Sequence, residues 1–146
     1  SQGFTLIELI ATMVIASILA SSLITGYRTY NEWLKVNEEI LNMVNTLRQA
    51  RDYCIEANEN FYLTVDTGAD TYTLKYKDSK AALNLPGQND NVFTMPSFVD
   101  FTASTGITDL KFNILGEPSA TETITINTDE RTIEIVYPTG YIYAHN

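Results

Sequence analysis

Gly3-Phe4-Thr5-Leu6-Ile7-Glu8-Leu9 opens an apolar run that continues to Ile24 and contains one charge, Glu8. At about 1.5 Å rise per residue, a helix of that length crosses a bilayer core of about 30 Å. The run therefore predicts a membrane span, and it divides the chain into an anchor and a head. Glu8 lies near the start of the span, and the first cation in the sequence is Arg28, beyond its end. A carboxylate at the centre of a membrane helix costs about 2.5 to 3.5 kcal/mol, and less near an end, so Glu8 calls for a partner from another molecule. A secretory signal fits poorly, because its apolar region is about 7 to 15 residues and carries no internal acid.

Beyond the span the helical pattern continues. Trp33, Val36, Ile40, Met43, Leu47, Ala50 and Cys54 recur at spacings of three or four, and Leu34, Leu41, Val44 and Ile55 widen the face. Glu38, Glu39, Asn42, Gln49 and Asp52 fall elsewhere. One helix is predicted from about Phe4 to Asn58, apolar all round in its first half and amphipathic in its second. Gly26 is its weakest point, since an interior glycine costs about 1 kcal/mol relative to alanine.

After Asn58-Glu59-Asn60 the pattern becomes that of strands. Phe61–Val65 and Tyr72–Tyr76 flank the turn-rich Asp66-Thr67-Gly68-Ala69-Asp70 and read as a hairpin. Further strands are predicted at Val92–Met95, Phe98–Thr102, Leu110–Leu115, Thr123–Asn127, Thr132–Tyr137 and Tyr141–Tyr143, separated by Gly, Pro or acidic turns. The fold class is α+β: a long N-terminal helix packed on an antiparallel β-sheet. Fewer than 90 residues remain for that sheet, and a small sheet needs the amphipathic half-helix to cover one face.

The 146 residues carry a formal net charge of −9. Sequence-independent nucleic-acid binding rests on Lys and Arg meeting phosphates, and the nine cations do not cluster in the sequence, so nucleic acid is not expected as a partner. The single Cys54 leaves no intramolecular disulfide to form.

Gly3-Phe4-Thr5-Leu6-Ile7-Glu8-Leu9, followed by Ile10-Ala11-Thr12-Met13-Val14-Ile15-Ala16, resembles the class III signal and first helix of type IV pilins and type II secretion pseudopilins. The resemblance implies a pilin-like fold and a structural role. It implies that prepilin peptidase cuts between Gly3 and Phe4, that the new terminus of Phe4 is N-methylated, and that residues 1–3 are the remnant of a prepilin leader. Residues 4–26 would be the transmembrane and assembly helix, and 27–146 a periplasmic or extracellular head that includes the rest of the helix. Glu8 would then pair with the N-methylated amine of Phe4 on a neighbouring subunit. Partners implied are other pilin or pseudopilin subunits, the peptidase, an inner-membrane assembly platform, and lipid before assembly. The protein would be a single-pass bacterial inner-membrane protein with its head outside the cytoplasm, and would enter a filament on assembly.

Phe112-x-x-x-Gly116, the strand pair at Ile124–Ile126 and Arg131–Val136, and Pro138-Thr139-Gly140-Tyr141-Ile142 are similar to the ending of the GspH/FimT group of minor pilins and pseudopilins. Some FimT-like proteins bind DNA through an arginine-rich segment after that late glycine. Tyr141-Ile142-Tyr143-Ala144-His145-Asn146 has no arginine, which argues against that route. A major pilin subunit, or a pilus-associated DNA-binding or adhesion module, is the alternative.

Within the span, Ala16 with Ala20 and Ser17 with Ser21 are small residues four apart, a spacing that lets helices approach closely in lipid. No catalytic constellation is visible. Cys54 falls on the apolar helix face and reads as a small core residue, and His145 reads as a mobile bystander at the chain end. Asp66, Asp70, Asp90, Asp129 and Glu130 lack the dense, alternating spacing of a calcium loop and read as turn residues, so neither a metal nor a cofactor is expected.

Overall fold

The computed structural model describes residues 5–104, 109–127 and 131–145. One helix, α1 (Leu6–Ala57), precedes nine strands, and the chain forms two compact units, Ser1–Lys35 and Val36–Asn146. Burial along α1 begins at Val36. From there Val36, Ile40, Met43, Val44, Leu47, Ala50 and Cys54 form one buried stripe. α1 passes through Gly26 without interruption. It ends because Asn58 adopts a left-handed conformation at φ 55°, with Asn58 N–H on Ile55 O at 3.1 Å and Glu59 N–H on Cys54 O at 2.9 Å. That is a Schellman cap with asparagine in the usual glycine position.

The strands divide between two antiparallel sheets, where one was expected. In the first, β2 (Thr71–Tyr76) pairs with β1 (Phe61–Asp66) on one side and with β3 (Ala81–Ala82) and β4 (Val92–Thr94) on the other; β1 also pairs with β6 (Leu110–Phe112). The second runs β5 (Phe101–Ser104), β7 (Glu122–Ile126), β8 (Arg131–Val136), β9 (Tyr141–His145). Alternation places Phe61, Leu63, Leu74, Leu110 and Phe112 of the first sheet, and Ile124, Ile126, Ile133, Ile135 and Ile142 of the second, in one core with the buried stripe of α1. Phe61 and Phe112 stack at its centre, 4.8 Å between rings.

Four details depart from the sequence expectations. Trp33, Leu34, Leu41 and Ile55 are exposed, so the buried face of α1 is narrower than its apolar pattern. The two-residue β3 is too short to leave a periodic signal. β6 stops at Phe112 because Asn113 turns the chain: its Oδ1 accepts from Leu115 N–H at 2.9 Å and Glu117 N–H at 3.0 Å. The last strand continues to His145, which pairs across to Thr132 and is no loose end.

The two glycines of the C-terminal pattern meet. A Cβ on Gly140, at φ 65°, would lie 2.0 Å from the carbonyl oxygen of Gly116; one on Gly116, at φ 78°, would lie 2.6 Å from Cδ1 of Ile55. Above this contact, Arg51 donates to Gly140 O and Arg48 donates to Ile142 O, with Nε at 3.1 Å. Two arginines one helical turn apart thus cap the carbonyl just before edge strand β9 and that of Ile142 within it, which blunts the start of that edge.

The outer face of the first sheet gathers lysines that lie apart in the sequence. Tyr62 stands between Lys75 and Lys111 across the strands. Lys80 and Lys111 each approach its ring, 5.6 Å from the centroid. Asp109 accepts from Lys80, from Thr64 at 2.6 Å and from Lys75 at 3.3 Å, while Asp78 accepts from Tyr62 at 2.7 Å and Lys111 at 3.1 Å. The lysines are gathered, and each is answered by a carboxylate.

Gly140→Ala is expected to destabilise the protein by about 3 kcal/mol, because backbone blocks the new methyl group and φ is positive. Gly116→Ala should cost less, since the obstructing Ile55 side chain can swing aside. Thermal unfolding of the full chain in detergent, followed by circular dichroism, compares them; a Gly140→Ala protein as stable as the parent would contradict the contact. The Lys80 and Thr64 hydrogen bonds hold Asp109 down at about 2. The unfolded state therefore binds the extra proton as pH falls, so this contribution is present above about pH 4 and lost between about 4 and 2. Melting temperature should drop through that window, and less steeply in Asp109→Asn.

Candidate assembly site

Helix geometry brings Thr5 and Glu8 together at the amino end of α1. Thr5 is the residue before the first helical turn, and Glu8 is third within it. Thr5 N–H donates to Glu8 Oε2 at 2.8 Å, Thr5 Oγ1 donates to the same oxygen at 2.7 Å, and Glu8 N–H reaches Thr5 Oγ1 at 3.4 Å. This is a reciprocal capping box. The expectation was of no cationic neighbour for Glu8; both of these donors are neutral, and among the described residues no cation pairs with it. The signal was present as Thr5-x-x-Glu8 before an apolar run. Gly3 and Phe4 lie outside the described residues.

The described residues from Thr5 to Lys35 are exposed throughout. Their hydroxyls nevertheless find partners inside the helix. Thr12 donates to Leu9 O, Ser17 to Val14 O and Ser21 to Ser17 O, each at 2.8 Å; Ser22 donates to Ile18 O and Thr25 to Ser21 O, each at 3.1 Å. A hydroxyl that spends its proton on a preceding carbonyl leaves no orphan donor when water is absent. Ala16, Ala20, Ser17 and Ser21 are all exposed. Tyr27, Tyr30 and Trp33 follow the apolar run, and the last two stack at 6.3 Å. Amphipathic rings with Arg28 and Lys35 beside them suit the interface between lipid and water. Periodicity alone had assigned Trp33 to the core face, which hid this grouping.

In the head, His145 Nε2 sits 3.5 Å from Glu134 Oε2, and its ring meets Tyr143 edge-on at 4.7 Å. Tyr143 also donates to Glu134, at 2.9 Å. Asp66 Oδ1 caps the N–H groups of Gly68 and Ala69, Asp90 Oδ1 those of Asn91 and Val92, and Asp70 Oδ1 that of Phe101. These acids serve turns and strand ends; Asp129 and Glu130 lie outside the described residues. Cys54 is buried in the helix stripe, away from His145 in the sequence and from any surface.

Comparison with known proteins bears on both ends of the molecule. Residues 1–24 match the model of the prokaryotic N-terminal methylation motif. No curated protein sequence matches the chain. Among solved structures, it is similar to the type IV minor pilin FimU of Pseudomonas aeruginosa PAO1, with a TM-score of 0.59, 12% identity, and coverage of 80% of this chain and 92% of that one. It is also similar to the minor pseudopilin EpsH from the type 2 secretion system of Vibrio cholerae, with a TM-score of 0.56, 14% identity, and coverage of 75% and 95%. The fold is that of the minor pilins.

A methylation motif thus covers the start of an apolar helix that is long enough to cross a membrane and leads into a pilin-like head. In that head Cys54 has a packing role. Burial first, and the nearby Glu59 carboxylate second, push its thiol up to about 11, so little thiolate exists at neutral pH. A maleimide reagent at pH 7 should leave the native thiol unlabelled over the time in which the denatured protein reacts fully. Rapid labelling of the folded protein would contradict a core position.

Proposed function

We propose that this protein is a structural subunit, a minor pilin or pseudopilin, of a type IV pilus or type II secretion pseudopilus. The observation that carries the reading is the methylation motif placed on a helix whose first half buries nothing within the chain while its second half organises a pilin-like core. An apolar helix exposed along its length needs lipid or other helices around it. Before assembly that surrounding is the inner membrane, with the head outside the cytoplasm. After cleavage between Gly3 and Phe4 by prepilin peptidase, it is the bundle of neighbouring subunits. Residues 4–26 form the assembly segment and 27–146 the head; Ala16, Ala20, Ser17 and Ser21 provide the close approach. The protein performs no chemistry of its own.

In this reading Glu8 meets the N-methylated amine of Phe4 on a neighbouring subunit. Low dielectric makes the attraction large and a lone charge costly, so the pair sets register. Thr5 holds the carboxylate in one orientation beforehand. The DNA-binding alternative gains little: Arg48 and Arg51 are occupied with the carbonyls of Ile142 and Gly140.

Glu8→Gln separates the two roles of the residue, because glutamine keeps the capping oxygen and removes the charge. Glu8→Gln and Glu8→Ala should both insert and be processed, and both should be depleted from sheared filaments by about tenfold or more. Normal incorporation of the glutamine variant would reduce Glu8 to a helix cap.

A further inference from the structure

Several strand edges in this head are closed by recognisable means. Arg48 and Arg51 cap β9; Ser119 N–H donates to Lys111 O at 2.7 Å and covers β6; Asp70 Oδ1 takes Phe101 N–H at 2.9 Å at the start of β5. β3 is two residues long. Among the described residues β4 is covered only at its first residue, by Asp90. Leu74 N–H bonds Asn91 O and Met95 N–H bonds Asp70 O, both at 2.8 Å, so residues 91, 93 and 95 turn their backbone groups toward β2. Antiparallel alternation then directs those of Val92 and Thr94 away from the sheet. Val92 N–H has a long contact of 3.3 Å with Asp90 Oδ1, and the outward groups of Thr94 make no hydrogen bond among the described residues.

Val92 and Thr94 also line a groove. A cavity of about 380 Å³ lies between Val92–Met95 and the Glu39–Thr46 stretch of α1, with Tyr72 and Gln88 completing its wall. Tyr72 and Phe93 stack at 4.7 Å. Gln88 contributes a buried side-chain oxygen that has no donor. Among the described residues, Glu39 is the single charge on the wall, and Asp90 stands two residues before the strand. Unpaired strand groups, room beside them, an acceptor without a donor and negative charge together describe a seat for an extended, donor-rich segment.

We propose that β4 accepts an extended basic peptide segment of a partner protein by strand addition in this groove. Main-chain bonds to Val92 and Thr94 supply affinity, and Lys or Arg side chains reach Glu39 and the Gln88 oxygen. A second copy of this chain fits less well, because each copy carries a net charge of −9.

The test uses the full chain in detergent micelles and two pools of nine-residue peptides, with Lys or Arg at alternate positions in one and Asp or Glu in the other, threonine and valine filling the rest. The basic pool should be retained at least tenfold better. Thr94→Pro removes only an outward N–H and leaves net charge unchanged, and prolines are tolerated at sheet edges; it should abolish the difference. Glu39→Lys should weaken basic peptides by a similar factor. In the unmodified protein, a retained peptide should slow hydrogen exchange of the Thr94 amide, which keeps the test independent of how well Thr94→Pro folds. Retention that survives Thr94→Pro without slowed exchange, or retention of neither pool, would overturn the proposal. So would dimerisation through β4 without peptide binding.

Discussion

A single unbroken helix has to live in two surroundings, and the position at which its burial begins governs everything else. Up to Lys35 no described residue of α1 is covered by its own chain; from Val36 onward every third or fourth residue enters a core. A helix that is apolar all round has no preferred face toward water, so its first half is stable only where apolar matter encloses it. The second half is stable because two sheets close on one stripe. The two halves thus make separate demands on one element, and the sequence between Gly26 and Val36 changes character accordingly. Its aromatic rings and first cations replace the aliphatic run without breaking the backbone ladder.

The same division explains how polar atoms are treated. In the head, buried or half-buried polar groups find partners across strands, as Asp109 does with Thr64 and Lys75. In the first half of α1 no other element is available. The Ser and Thr hydroxyls from Thr12 to Thr29 turn back on their own helix, and the carboxylate of Glu8 is folded into the helix start by Thr5. Those devices satisfy the Ser and Thr donors of the apolar run without water, yet they do not remove the charge of Glu8. A hydrogen bond from a neutral hydroxyl lowers the cost of a buried anion but does not neutralise it. What remains is a charge requirement that a cation must meet, and within this stretch of helix none is present.

Much of this was legible in the sequence because the signals were long or repeated. Twenty-odd residues with one acid, a stripe of seven apolar positions, and alternating Ile-x-Ile-x strands survive small errors of register. What was not legible depended on single residues whose meaning comes from a distant partner. Trp33 and Leu34 fit the stripe by spacing, yet both are exposed. Nothing local distinguishes β5 and β7 as members of a second sheet, since strand runs look alike whichever neighbours they take. Thr5 was legible and overlooked: its spacing to Glu8 carries the capping signature, masked by the stronger reading of the membrane run.

The glycine pattern near the carboxyl end shows how a loose sequence resemblance acquires a physical cause. Gly116 and Gly140 belong to different turns and are separated by two strands, so neither has an evident reason for being glycine taken alone. Their backbones touch, Ile55 closes against one, and Arg51 reaches the carbonyl of the other. Any side chain at Gly140 would push the last turn away from Asn113–Glu117 and withdraw β9 from Arg48 and Arg51. The edge carbonyls of β9 would then be exposed, and an exposed edge invites pairing with another chain. The two glycines therefore act less as flexible joints than as spacers of minimum thickness. They allow the end of α1 to lie against the last strand, and so couple the helix that carries the anchor to the edge of the sheet farthest from it in sequence.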